Sequence, residues 1–72
     1  MRFSIGDIIR QTQKLHKGSA EYFYFSITGF DQKSGMYYLF DICDGVEING
    51  GYPLNDTAFY SFHKVEGVED CL

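Results

Sequence analysis

The sequence predicts a small, mainly all-β fold: a five-stranded antiparallel barrel with one short helical turn before the last strand. Three observations support this prediction. Aromatic residues make up 18% of the 72 residues, apolar and polar side chains alternate over two long runs, and glycine-containing turns separate those runs. A chain this short buries only a small core. The large phenylalanine and tyrosine side chains therefore supply the burial that a small fold requires.

The chain is predicted to form one domain, because its composition does not change abruptly along its length. We assign residues 1–66 to a single β-barrel domain and residues 67–72 to a short acidic C-terminal tail.

The first predicted element is a strand that follows a turn. Gly6 permits a bend, Asp7 can accept hydrogen bonds from nearby backbone amides, and Ile8 and Ile9 suit a pleated sheet. Residues 12–20 are polar and rich in lysine, and this composition predicts a loop.

A second strand is predicted over residues 21–30, where the side chains alternate in character. Phe23, Phe25 and Ile27 are assigned to the core. The opposite face receives Tyr22, Tyr24, Ser26 and Thr28. Gly29 predicts a bulge or a sharp bend just before the following turn.

A third strand is predicted over residues 36–43, and it is expected to be central because both of its faces carry apolar residues. We assign Tyr38 and Phe40 to the core. One face of this strand holds Tyr38, Phe40 and Ile42. The other face holds Tyr37, Leu39, Asp41 and Cys43. The pair Asp44-Gly45 is a strong hairpin signal and predicts a short fourth strand over residues 46–48.

The last predicted elements are a helical turn and a strand. Pro53 cannot donate a hydrogen bond to a β-ladder, whereas Asn55 and Asp56 can cap a short helical turn. The final strand is expected within residues 59–65.

Three segments resemble small Src-homology-3-like and Tudor-like barrels: FSIGDII at 3–9, GMYYLFDICDG at 35–45 and YPLND at 52–56. The resemblance covers roughly residues 3–65 and implies a bent antiparallel meander. The tryptophan frequent in peptide-binding Src-homology-3 domains is absent, so polyproline recognition is not expected. The size and charge also resemble those of short acidic bacteriophage and mobile-element proteins, which commonly occupy a surface on a host machine.

Charge is distributed unevenly along the sequence. Residues 1–36 carry five basic and three acidic side chains, a net charge of +2, whereas residues 37–72 carry one basic and seven acidic side chains, a net charge of −6. The acidic excess disfavours general nucleic-acid binding, although a local basic patch remains compatible with it.

The cellular location is expected to be the cytoplasm. Two cysteines, Cys43 and Cys71, do not form the pattern of a disulfide framework. We find neither a targeting peptide nor an apolar run long enough to span a bilayer, so no membrane association is expected.

Neither catalysis nor a cofactor is expected. The sequence contains no nucleophile elbow and no glycine-rich phosphate loop. The carboxylates near Asp44 lack the spacing of a helix-flanked calcium loop. His16, His63, Cys43 and Cys71 lack the close pairing of a structural zinc site.

The expected function is that of a non-enzymatic module that binds a basic protein surface. The predicted partner-binding residues are outward tyrosines and an acidic rim, namely Tyr22, Tyr24, Tyr37, Tyr52, Asp41, Asp44 and Glu47. A phage-type inhibitor of a host nucleic-acid-handling protein is one form of this hypothesis. Two alternatives remain: a barrel that binds nucleic acid through Arg10, Lys14, Lys17 and Tyr22, and a homo-oligomer formed through an exposed strand. The Tudor-like resemblance additionally implies an aromatic cage for methylated lysine or arginine.

Overall fold

A computed structural model describes residues 2–67 as one antiparallel sheet with a few connecting turns. Its strands are β1 (Ile8–Lys14), β2 (Ala20–Asp31), β3 (Met36–Asp41), β4 (Val46–Glu47) and β5 (Tyr60–Val65). Their order across the sheet is β4-β3-β2-β1-β5, with β4 and β5 at opposite edges. The prediction of five antiparallel strands is confirmed, but the sheet is open and does not close into a barrel. Apart from Gly67, the predicted acidic tail lies outside the described residues.

The predicted loop over residues 12–20 is too long. Thr12–Lys14 belongs to β1, which pairs with β2 on one side and with β5 on the other. Two neighbouring strands satisfy the backbone of this polar segment, and that pairing outweighs its composition. The loop that remains contains a 3-10 turn, His16–Gly18, in which Lys17 has φ +63°.

The helical turn predicted before the last strand is not found in the described structure, where residues 53–57 have no regular secondary structure. The Asp56 carboxylate accepts hydrogen bonds from the Arg2 guanidinium and from the Phe62 N–H, so it does not cap a helix. The Thr57 hydroxyl instead accepts hydrogen bonds from the amides of Phe59 and Tyr60. These two bonds hold the backbone where β5 begins.

One face of the sheet, the inner face, packs against the N-terminal segment and residues 52–54. The predicted inward positions of Phe25 and Ile27 are confirmed, and Phe23 packs against the same cluster. The buried members of this cluster are Phe3, Ile9, Phe25, Ile27, Tyr37, Leu39, Leu54 and Phe62.

The predicted division of β3 into two faces is correct, but the core assignment of Tyr38 and Phe40 is wrong: Phe40 is half-buried and lies on the outward face with Tyr38. Tyr37 is only 5% exposed and Leu39 only 2%, whereas Tyr38 is 42% exposed. The predicted bulge at Gly29 is confirmed as a register shift between Ile27 and Gly29. Leu39 pairs with the buried Ile27, and because side chains on a strand alternate with a period of two, Tyr37 shares the inner face with Leu39 while Tyr38 faces outward. The bulge in β2 then brings Phe30 opposite Tyr37.

Candidate functional site

The four tyrosines predicted to face outward have different environments. Tyr24 and Tyr37 are 4% and 5% exposed, so their predicted exposure is wrong. The Tyr37 hydroxyl accepts hydrogen bonds from the backbone N–H groups of Arg2 and Phe3, which explains why a polar ring tip is buried there. Neither buried ring can offer a broad contact surface to a partner.

The other two tyrosines remain partly accessible. Tyr22 is 47% exposed. Tyr52 is half-buried: its ring meets Phe62 edge-on with 6.2 Å between centroids, and its hydroxyl accepts a hydrogen bond of 3.1 Å from the Gln11 side chain. The predicted partner-binding role is therefore compatible with the exposure of Tyr22 and, in part, of Tyr52.

The structure places Asp41, Asp44 and Glu47 on one hairpin, formed by β3, β4 and the turn between them. The Asp41 carboxylate accepts a hydrogen bond from the Asp44 amide at 3.1 Å, and Gly45 completes the turn with φ +71°. Asp41 is half-buried and stabilises the turn, whereas the side chains of Asp44 and Glu47 are exposed. These last two carboxylates are available to a partner.

Tyr38, which sequence reasoning assigned to the core, belongs to this surface. Its ring covers the glycine of the bulge: a Cβ added at Gly29 would lie 3.0 Å from the Tyr38 Cδ2. A glycine across from an aromatic residue is the sequence signal for this arrangement, but recognising it requires the strand register. The ring packs against the backbone and still leaves much of its surface in solvent.

Beside Tyr38 is an open recess of about 380 Å³. Glu47 pairs with Phe40 and so lies on the same face of the sheet as Tyr38. The residues lining the recess are Thr28, Tyr38, Leu39, Glu47, Ile48, Asn49 and Gly50. We call the surface formed by Tyr38, Asp44 and Glu47 the acidic edge.

A second surface, formed by exposed and half-buried residues, lies where β1, β2 and β5 meet. Arg10, Thr12 and Lys14 alternate along the outer face of β1, and Tyr22 pairs with Thr12 on that face. The Lys14 amide donates a hydrogen bond to the Phe59 carbonyl, which places Phe59 beside Lys14. We call Arg10, Lys14, Lys17, Tyr22 and Phe59 the basic patch.

The two ion pairs within residues 2–67 do not neutralise the charges of the acidic edge or of the basic patch. Arg2 pairs with Asp56 at 3.1 Å, and Lys64 lies 3.5 Å from Asp7. The Arg2 guanidinium, followed by the Phe62 amide, lowers the pKa of the Asp56 carboxyl below its ordinary value. Within the described range, the charged residues of the acidic edge and of the basic patch belong to neither pair.

Residues 2–67 contain no group of three His, Cys, Asp or Glu side chains arranged to hold a metal ion. In the same part of the chain, no helix is long and apolar enough to cross a membrane.

The fold and these surfaces define a small protein built on one five-stranded antiparallel sheet, with separate acidic and basic exposed regions. The chain matches no known family model, no curated protein and no solved structure. The fold is therefore described by its strand order and not by a family name.

Proposed function

We propose that the protein is a non-enzymatic binding module that docks on a basic protein surface through its acidic edge. The observation that carries this proposal is the exposed Tyr38 ring, held against Gly29 at the side of a recess that also contains Glu47. A more specific form of the proposal is that the partner is a cytoplasmic nucleic-acid-handling protein, whose basic surface the module occupies in the manner of a phage-type inhibitor.

The chemistry of the acidic edge suits an arginine or lysine side chain. An aromatic face attracts a cation, and a carboxylate beside it adds charge complementarity. Glu47 and Tyr38 both line the recess, so one cationic side chain entering it would contact both groups. Asp44 would add attraction from the neighbouring turn. Because Tyr38 already packs against the sheet, its ring loses little conformational freedom on binding.

A methyl-lysine cage is less well supported than a protein interface. Such a cage surrounds the cation with several aromatic rings, whereas Tyr38 supplies the aromatic ring among the residues that line this recess. Tyr24 and Tyr37, which would have supplied further rings, are buried elsewhere in the sheet.

The proposal can be tested by titrating a short arginine- and lysine-containing peptide into isotope-labelled protein and following the amide resonances. We expect shifts centred on Tyr38 and Glu47. The double change Asp44→Asn/Glu47→Gln should weaken binding roughly two- to thirtyfold, because an exposed charge pair contributes about 0.2–1 kcal/mol. Tyr38→Ala should weaken it by about two- to fivefold, the range for an exposed cation–π contact.

The matched control is Glu21→Gln/Glu66→Gln, which removes two exposed carboxylates outside the acidic edge. This control should retain most of the affinity. Equal losses of affinity in the two double variants would show that net charge alone causes the effect. Affinity that does not change with salt would contradict the electrostatic part of the proposal.

A further inference from the structure

The basic patch places two exposed aromatic rings near unpaired cations. Phe59 is 68% exposed, the largest fraction among the exposed large apolar side chains of residues 2–67, and Tyr22 is 47% exposed. A phenylalanine this exposed contributes little to the core. Its position beside Lys14 leaves the Phe59 ring available to a partner that also contacts the cations of the basic patch.

The register places Tyr22 and Phe59 on opposite sides of β1. Tyr22 pairs with Thr12, and Phe59 lies beside Lys14, two residues further along β1. From the spacings of strands and residues in a sheet, their backbone positions are about 12 Å apart. The two rings therefore stand on separate sides of β1, and each can hold its own flat group.

Two cations of the patch, Arg10 and Lys14, lie beside these rings, and Lys17 follows in the loop after β1. The Arg10 guanidinium carbon is 4.9 Å from the centre of the Tyr22 ring, and the Arg10 Nε is buried without a hydrogen-bond partner. Lys14 and Lys17 are exposed. Glu21, the carboxylate next to Tyr22 in the sequence, pairs with Gln13 and so lies on the other face of the sheet from Tyr22. The ring of Tyr22 and the guanidinium of Arg10 thus form one preassembled contact.

We propose that the basic patch binds a single-stranded nucleic acid. One base stacks on Tyr22 and another on Phe59, while Arg10, Lys14 and Lys17 contact the phosphates. Stacking requires unpaired base faces, which a single strand offers and a duplex does not. The net charge of −4 weakens long-range attraction to any phosphate backbone, so binding must rely on stacking, which a single strand allows. An acidic protein would satisfy the cations but leave both separated rings without a flat partner.

The test is fluorescence anisotropy of labelled oligothymidylate titrated with the full chain at low salt. We expect binding at micromolar protein, weakening as salt rises with a log–log slope of about −2, the value for three phosphate contacts on a single strand. Tyr22→Ala and Phe59→Ala should each weaken binding by roughly five- to hundredfold, the range for losing one stacked base. Lys14→Gln should make the slope shallower by about 0.7.

The chain offers matched controls at the other end of the sheet. Ile5→Ala truncates an apolar side chain that is 63% exposed, and Lys33→Gln removes an exposed cation from the turn between β2 and β3. Both variants should bind oligothymidylate like the unchanged protein. Circular dichroism of every variant separates a lost contact from a lost fold.

Several results would overturn this inference. Absence of binding at micromolar protein would do so, as would equal binding of the corresponding duplex, or equal losses in the control variants. Self-association in light scattering that disappears in Asp44→Asn/Glu47→Gln would show instead that the patch receives the acidic edge of a second copy. That double variant should leave oligothymidylate binding intact, so the failure of this inference and of the proposed function are distinguishable.

Discussion

At the scale of single residues, Gly51 is fixed by the close approach of two chain segments. A Cβ added there would lie 2.4 Å from the Met36 Cβ and 2.9 Å from its Cγ. The Met36 Cβ is attached directly to the backbone of β3, so one of the two segments must move. We expect Gly51→Ala to lower the free energy of unfolding by about 1–3 kcal/mol, as measured by urea denaturation.

Gly67 provides the control for that prediction. A Cβ at Gly67 meets no atom of residues 2–67 within 4 Å, and its φ is not in the left-handed region. Gly67→Ala should leave the urea midpoint nearly unchanged. Equal midpoints for the two alanine variants would show that residues 50–52 yield easily and that the contact with Met36 is not restrictive.

Asp56 should make stability depend on pH in the acid range. The Arg2 guanidinium and the Phe62 amide lower the pKa of its carboxyl below the ordinary 3.8. Since the folded-state pKa lies below the unfolded one, this contribution is complete above the unfolded pKa and is lost as pH falls through the folded pKa. Asp56→Asn should therefore be less stable near neutral pH and lose less stability on acidification.

Thermal melts followed by circular dichroism, from neutral to strongly acidic pH, measure this difference. Glu66→Gln is the matched control, because it removes an exposed carboxylate just after β5 with the same change in charge. Parallel acid limbs for Asp56→Asn and the unchanged protein would contradict the assignment.

At the scale of strands, local signals predict an element better than they predict which way it faces. The Asp44-Gly45 signal places a turn correctly because the Asp41 carboxylate and its carbonyl close that turn within five residues. The environments of Tyr37 and Tyr38 depend instead on the pairing of β3 with another strand, in which Leu39 lies opposite Ile27 of β2. Alternation within β3 alone contains no information about that register.

The free edge of β5 is protected by side chains in place of a further strand. The Phe62 carbonyl accepts a 2.7 Å hydrogen bond from Arg2, and the Phe62 N–H donates one of 2.9 Å to Asp56. An edge with unpaired backbone groups promotes pairing between molecules. We therefore expect Arg2→Ala/Asp56→Ala to form dimers at rising concentration, as measured by size exclusion with light scattering.

The comparison for this edge is Lys64→Ala. It breaks the other ion pair of residues 2–67, in which the Lys64 amine lies 3.5 Å from the Asp7 carboxylate, and leaves the Arg2 and Asp56 hydrogen bonds to the backbone of β5 in place. This variant should remain monomeric. A double variant that also stays monomeric while folded would show that the edge is protected by other means.

At the scale of the whole molecule, the sequence predicts the class of fold and the location of charge well. It predicts less well which residues form each exposed surface. The carboxylates of the acidic edge lie close together in the sequence, so a single turn is enough to group them. The basic patch combines residues from β1, the start of β2 and the segment before β5. Phe59 is absent from the predicted site because its exposure depends on where β5 begins.

Two phenylalanines near the start of β5 should separate stability from binding. Phe62 is 2% exposed in the central cluster, whereas Phe59, three residues earlier, is 68% exposed. Phe62→Ala should cost about 3–5 kcal/mol, a large fraction of the roughly 5–15 kcal/mol typical of a native protein. Phe59→Ala should change the free energy of unfolding by no more than about 0.5 kcal/mol, as for other surface substitutions. Urea denaturation measures both values, and Phe62→Leu should recover most of the loss by refilling the cavity. A large destabilisation by Phe59→Ala would place that ring in the packing of the fold, and its exposure would then no longer support a contact with nucleic acid.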